Sequence, residues 1–191
     1  LFLTDEEHAL TKAGSVGKPV LHTSIRIVDE DGADLPVGSI GELWAKGPNV
    51  TPGYWERPEA NADSFTDGWL HTGDAARIDE DGYVYIVDRW KDMYISGGEN
   101  VYPAEVEQLL FRHENVLDVA VIGIPDARWG ESGLAVVVPR DPEAFDAAGI
   151  IHFCDDKLAR YKIPKRAVAV DELPRNAAGK VLKRQLRQEL I

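Results

Sequence analysis

Lys180 closes the run Leu-Pro-Arg-Asn-Ala-Ala-Gly-Lys (173–180). Proline, asparagine and glycine make that run a loop. A lysine beside a glycine hinge is a mobile point charge with three donors, suited to an anionic group gripped for part of a cycle. A second candidate is Asp74, in His-Thr-Gly-Asp (71–74), read as lying just before a strand. An ionised carboxylate accepts hydrogen bonds only, and it can take two hydroxyls at once, as a ribose diol offers. A bare Gly-Asp pair reads equally as a turn cap. Arg89 opens a third segment, Asp-Arg-Trp-Lys-Asp-Met-Tyr-Ile-Ser-Gly-Gly-Glu-Asn-Val-Tyr-Pro-Ala-Glu-Val-Glu (88–107). Its guanidinium can reach a ribose oxygen or form an ion pair with Asp88 or Asp92.

Within that segment Gly97 and Gly98 permit positive φ or close backbone approach, and a tight turn is their ordinary meaning. They do not form a phosphate-cradling P-loop, because no Lys-Ser or Lys-Thr follows. Gly179-Lys180 does not complete one either, since Pro174 replaces the first glycine and Val181 the hydroxyl. Trp129, in Ala-Arg-Trp-Gly-Glu (127–131), and Tyr161 and Lys165, in Arg-Tyr-Lys-Ile-Pro-Lys (160–165), put aromatics beside basic residues. Such pairs stack on a nucleobase and hold a phosphate, or they pack a core or lid. Lys91 alone reads as an exposed lysine. Pro52-Gly53-Tyr54-Trp55 has nothing that titrates or coordinates, and is taken as a structural loop. No His/Cys cluster has metal spacing, and no Ser-His-Asp set has a nucleophile elbow.

The elements that must carry these residues fall into two groups. Residues 20–28 and 40–46 read as strands, with Asp31-Gly32 a turn between strand-like runs. Residues 47–69 are rich in Gly, Pro and Asn, with a short helix at 58–64. Asp81-Gly82 is a second hairpin signal, leading into a strand at 83–88. After Arg89 the pattern changes. Pro103 suits a first helical turn, and residues 104–111 place Val106, Leu109 and Leu110 on one face. Strands follow at 117–124, 133–138 and 166–170, with helices at 145–159 and 181–190. Strands alone and then strands mixed with helices predict an α+β chain of two units, residues 1–88 and 89–191, with a hinge about 88–92.

The bulk composition, 44% hydrophobic and 28% charged, is that of a globular protein. No apolar run approaches the roughly 18 residues of a transmembrane helix. One cysteine, Cys154, excludes an internal disulfide and fits a reducing cytoplasm. The net charge of −12 is uneven: residues 155–191 hold ten Lys/Arg against five Asp/Glu. The acidic remainder argues against a nucleic-acid partner. The basic end suits a small polyanion, or is a solvated helix face. The chain opens on Leu-Phe-Leu-Thr-Asp rather than Met and reads as part of a longer protein.

In order and spacing, residues 71–74, 88–107 and 173–180 resemble the C-terminal half of the acyl-adenylate-forming (AMP-binding) enzymes, and within them the acyl-CoA synthetases. The resemblance implies a β-rich C-terminal subdomain of a large adenylating domain, followed by a small mobile α+β lid. It implies ATP, Mg²⁺ held through ATP, CoA as cosubstrate, and a small carboxylic acid. By the same resemblance Lys180 is catalytic, Asp74 and Arg89 bind the ATP or AMP ribose, and Lys91 is the hinge. Gly97 and Gly98 wall the pantetheine tunnel, and Trp129, Tyr161 and Lys165 contact CoA. Pro174, six residues before Lys180, resembles a pattern read by lysine acetyltransferases, which implies an acetyltransferase and a deacetylase as partners. A homodimer is compatible with the resemblance. The sequence departs from the family in lacking the Gly/Ser/Thr-rich phosphate loop, so the 191-residue piece is not expected to catalyse adenylation alone. A carrier-protein-loading domain and a non-catalytic nucleotide-binding fragment stay open as alternatives.

Overall fold

The computed structural model describes residues 1–4 and 6–191, with Glu6, Glu7 and Ala9 described through backbone alone. The chain divides into two compact units, Leu1–Lys91 and Asp92–Ile191. It is a mixed α+β fold, rich in sheet.

The first unit opens with β1 (Phe2–Leu3), α1 (Glu6–Thr11) and β2 (Lys18–Pro19), and β1 pairs antiparallel with β2. A five-stranded antiparallel sheet follows, built from β3 (Ser24–Val28), β4 (Gly41–Lys46), β5 (Phe65–Thr66), β6 (Trp69–Ile78) and β7 (Val84–Arg89), with α2 (Pro58–Ser64) before β5. β6 is the organising strand: β4 runs along one edge, and β5 and β7 pair with it on the other. Ile27, Leu43, Ala76 and Val84 form its core. Two expectations are corrected here. The 20–28 strand is broken at His22, whose φ of 64° turns the chain, so only Ser24–Val28 joins the sheet. Residues 71–74 lie inside β6 rather than before a strand, because β4 and β7 supply ladder partners on both sides.

The second unit contains β8 (Tyr94–Ser96), β9 (Glu99–Val101), α3 (Pro103–Leu110), β10 (Val116–Asp126), β11 (Gly130–Pro139), α4 (Ala147–His152), β12 (Arg166–Ala169) and α5 (Lys183–Leu190). β10 and β11 form a long antiparallel hairpin, and β12 pairs parallel to β11. Both faces of this hairpin are covered, which explains its nearly continuous apolar run. Val119, Val121, Ala135 and Val137 face α3 and α4, through Val106, Leu110 and Ile150. Ala120, Ile122, Leu134 and Val136 face the opposite side, where Leu186 of α5 packs. Pro103 sits at the start of α3, with its φ preset and no N–H to leave unpaired.

The helix expected over 145–159 is shorter, Ala147–His152. Asp146 caps its start by accepting from Ala148 N at 3.0 Å. Beyond it, residues 153–162 run in turns, with Asp156 at φ 60°. Phe153, Cys154, Leu158 and Tyr161 all reach the same core cluster. Burial pushes the Cys154 thiol up to about 11, so it is a packed and inert group. Among the described residues, no helix is long and apolar enough to cross a membrane.

Candidate functional site

Asp74 and Arg89 are brought together by strand register. β6 and β7 pair Asp74 directly with Arg89, and Arg89 Nη1 donates to Asp74 Oδ1 at 2.7 Å. The alternative of a pair with Asp88 or Asp92 is not what forms: the guanidinium crosses the ladder to Asp74, and Asp88 Oδ1 accepts from the Arg89 backbone N at 2.7 Å. Thr72 anchors the approach to Asp74. Its hydroxyl donates to Leu43 O at 2.7 Å and accepts from Asp74 N at 3.2 Å. Gly73 between them has φ 70°, which a side chain would resist. The result is a half-buried carboxylate beside an exposed guanidinium, an arrangement able to bind vicinal hydroxyls. Lys91 is exposed in a single 3₁₀ turn, Trp90–Asp92, and is the last residue of the first unit.

A pocket of about 480 Å³ opens in the second unit. Gly97, Trp129, Tyr161 and Lys165 all line it. So do Arg128 and Arg160, which sequence reasoning treated only as basic neighbours of the two aromatics. Ser96 and the acid Glu99 complete the wall. Gly98 is not among the lining residues. Gly97 and Gly98 form the two-residue turn between β8 and β9, with φ 63° and 88°. Gly97 N donates to Trp129 O at 2.9 Å, and a Cβ at Gly97 would stand 2.5 Å from the Trp129 ring. Only glycine lets the tryptophan lie there.

Asp126, which sequence reasoning missed, positions that tryptophan. Its Oδ1 accepts from Arg128 N at 2.9 Å and Trp129 N at 3.0 Å. These two N–H groups, aided by Ser132 and Lys165, hold its carboxyl below the ordinary carboxylate range. The signal was available in Asp-Ala-Arg-Trp, a local Asx turn. Arg128 and Lys165 carry their charges 5.0 Å and 6.0 Å from the Trp129 ring centroid. Lys162 donates to both Glu105 oxygens, at 2.8 and 2.7 Å, and so ties the Tyr161–Lys165 segment to α3. Two aromatics and three cations around one acid suit a base plus phosphate groups.

Lys180 is exposed at the end of a closed turn. Asn176 Oδ1 accepts from Ala178 N at 3.0 Å and Lys180 N at 2.9 Å. Asn176 N donates to Lys180 O, and Gly179, at φ 78°, donates to Asn176 O. After the turn Lys183 pairs with Glu107 at 2.7 Å, fastening the start of α5 to α3. Among the described residues no group of three or more His, Cys, Asp and Glu side chains converges as a metal site.

The family described as AMP-binding enzyme matches residues 2–55, and the AMP-binding enzyme C-terminal domain matches residues 105–180. A feruloyl-CoA synthase from an Amycolatopsis species is 47% identical over 188 residues, covering 98% of this chain and 38% of its own length. Among solved structures, the o-succinylbenzoate CoA synthetase of Bacillus subtilis, in complex with its acyl-adenylate intermediate, superimposes with a TM-score of 0.88 at 41% identity. That match covers 97% of this chain and 38% of the other. The ATP-bound MatB of Rhodopseudomonas palustris gives 0.82 at 46% identity, over 92% of this chain and 35% of that one. The chain thus spans a little over a third of the relatives it matches.

Proposed function

This chain belongs to the AMP-binding enzyme family, and we propose that it is the C-terminal part of an ATP-dependent acyl-CoA synthetase. In that reaction a carboxylate oxygen attacks the α-phosphorus of ATP. The P–O bond to pyrophosphate breaks, leaving acyl-AMP. The CoA thiol, losing its proton, then attacks the acyl carbon and AMP departs. Negative charge crowds the α-phosphate in the first step, and Lys180 would neutralise it. Asp74 would accept from the ribose hydroxyls, with Arg89 beside it. The second step would use the pocket of the second unit, with Gly97 and Gly98 beside the pantetheine and Trp129, Tyr161 and Lys165 at the nucleotide. Mg²⁺ would enter bound to ATP. Lys91 would be the pivot between the two steps.

The observation that carries this reading is the pocket. Residues far apart in sequence, Gly97, Trp129, Tyr161 and Lys165, converge on one cationic, aromatic cavity. A free nucleotide thiol fits such a cavity better than a carrier protein, which brings its own surface. The exposed Lys180 turn also suits a lysine acetyltransferase and its deacetylase, since acetylation removes the charge needed in the first step. The 191-residue chain alone would not adenylate.

The test separates the two half-reactions in the full-length protein. Ferulate and 2-succinylbenzoate, the acids named in the relatives, are the first to assay. Lys180→Ala should depress acyl-AMP formation by about 10²–10³, the scale for losing one transition-state donor. Thioester formation from supplied acyl-AMP should be spared. Equal loss in both steps would overturn the assignment of Lys180.

A further inference from the structure

The turn that carries Lys180 is closed within itself by Asn176, yet it has to be held to the sheet by something else. Arg175 makes a side-chain link from it to a strand of the sheet. Arg175 Nη2 donates to Asp118 Oδ2 at 2.5 Å, and Nη1 of the same guanidinium donates to Gly179 O at 2.6 Å. Gly179 O belongs to the peptide whose N–H is that of Lys180. Asp118 lies on β10, where its other oxygen accepts from Val119 N at 2.9 Å. The residues after it, Val119 to Ile122, are buried in the core. One planar guanidinium therefore spans from β10 to the peptide preceding the lysine.

We propose that Arg175 and Asp118 form a positioning clamp that sets where the Lys180 ammonium is presented. Resting on the reading of Lys180 given above, the clamp touches neither substrate nor reacting atoms and acts through the lysine. A fork of two donors is needed, because Gly179 O and Asp118 Oδ2 must be held together in one plane. Lysine in place of Arg175 keeps the charge but has no rigid fork. Asparagine in place of Asp118 keeps the shape but loses the charge. Either change leaves the turn closed by Asn176 and its base tied by Leu182 N donating to Pro174 O, but releases its tip from β10. A displacement of about 1 Å at a reacting centre costs on the order of 100-fold in rate.

The experiment uses the full-length protein with Asp118→Asn and Arg175→Lys, each made with Lys180 present and with Lys180→Ala. Single-turnover acyl-AMP formation, thioester formation from supplied acyl-AMP, ATP KM and the thermal midpoint are measured. With Lys180 present, each variant should lose about 10–100-fold in acyl-AMP formation, the cost of misplacement. The other three readouts should stay near wild type. On the Lys180→Ala background the same changes should cost nothing further. An equal further loss on that background would overturn the clamp while leaving Lys180 its role. So would wild-type acyl-AMP formation in both variants, or parallel loss of both half-reactions with a lowered midpoint. If Lys180→Ala itself spares adenylation, the underlying reading fails, and the double variants identify which of the two was wrong.

Discussion

Gly97 and Gly98 offer a matched pair of perturbations. Both have positive φ, 63° and 88°. Alanine at either one therefore suffers the same left-handed backbone penalty, about 1–2 kcal/mol. Their surroundings differ. A Cβ at Gly98 meets nothing within 4 Å, whereas at Gly97 it would lie 2.5 Å from Cε3 and 2.8 Å from Cζ3 of Trp129. Carbon atoms pack at 3.5–4.0 Å, so the indole must retreat by roughly 1 Å. Its backbone cannot follow, because Trp129 O accepts from Gly97 N and Trp129 N donates to Asp126. The ring must swing within the pocket instead. Displacement of that size at a positioning residue costs on the order of 100-fold. In the full-length protein Gly97→Ala should therefore lose about 100-fold in thioester formation from supplied acyl-AMP, by the same reasoning. It should retain acyl-AMP formation. Gly98→Ala carries the same backbone penalty but displaces no indole, so it should lose clearly less of the thioester step than Gly97→Ala. Separate half-reaction assays with a thermal melt for each variant check this. Equal thioester rates for the two variants would refute the claim that Trp129 forms a working wall of the pocket.

Asp74→Asn keeps shape but loses the carboxylate, and should raise the ATP KM about 10–100-fold by weakening charge-assisted bonds worth roughly 1.5–3 kcal/mol each. The CoA KM should hold, and an unchanged ATP KM would leave Asp74 as a strand ion pair. Lys91→Pro fixes φ near −65° and should spare adenylation while reducing thioester formation by orders of magnitude. Parallel loss with a lowered melt would mean that the proline only disrupts its turn. Lys12→Met probes a pH dependence. Lys12 bonds Asp79 at 2.8 Å and Asp81 at 2.6 Å, and the Lys12 contact lowers the Asp79 carboxyl to about 2. A depressed carboxyl stabilises the fold above its unfolded pKa and loses that contribution as pH falls through its folded one. Lys12, raised above its ordinary value by the same contacts, stays charged across this range, so protonation of its carboxylate partners sets the loss. The Tm deficit of the variant should thus be constant over roughly pH 5–9 and shrink between about pH 4 and 2. A deficit that persists undiminished at the acid end would show that lost packing, not charge, is the cause.

The sequence by itself determined the parts whose signal is local. Pro103 with Val106 and Leu110 at helical spacing announced α3, and the apolar stretches of β10 and β11 announced buried strands, because each residue's burial follows from the period of its own element. Turn chemistry likewise marked Gly97-Gly98 and the Lys180 loop, since positive φ and Asx bonds are decided within a few residues. What tertiary structure alone decided lies in register and packing. β6 was hidden because Thr-Gly-Asp looks like a turn, and only β4 and β7 on either side hold it extended. Arg89 found Asp74, fifteen positions away, through strand pairing and not through its neighbours in the chain. The helix after Asp146 ended at His152 and the chain turned at Asp156, φ 60°, a break that no glycine or proline in residues 150–159 announced. Trp129 met Gly97, and Arg175 met Asp118, across the folded unit. Contacts of that separation depend on how sheets stack and strands align, and the order of residues along the chain carries no direct record of them.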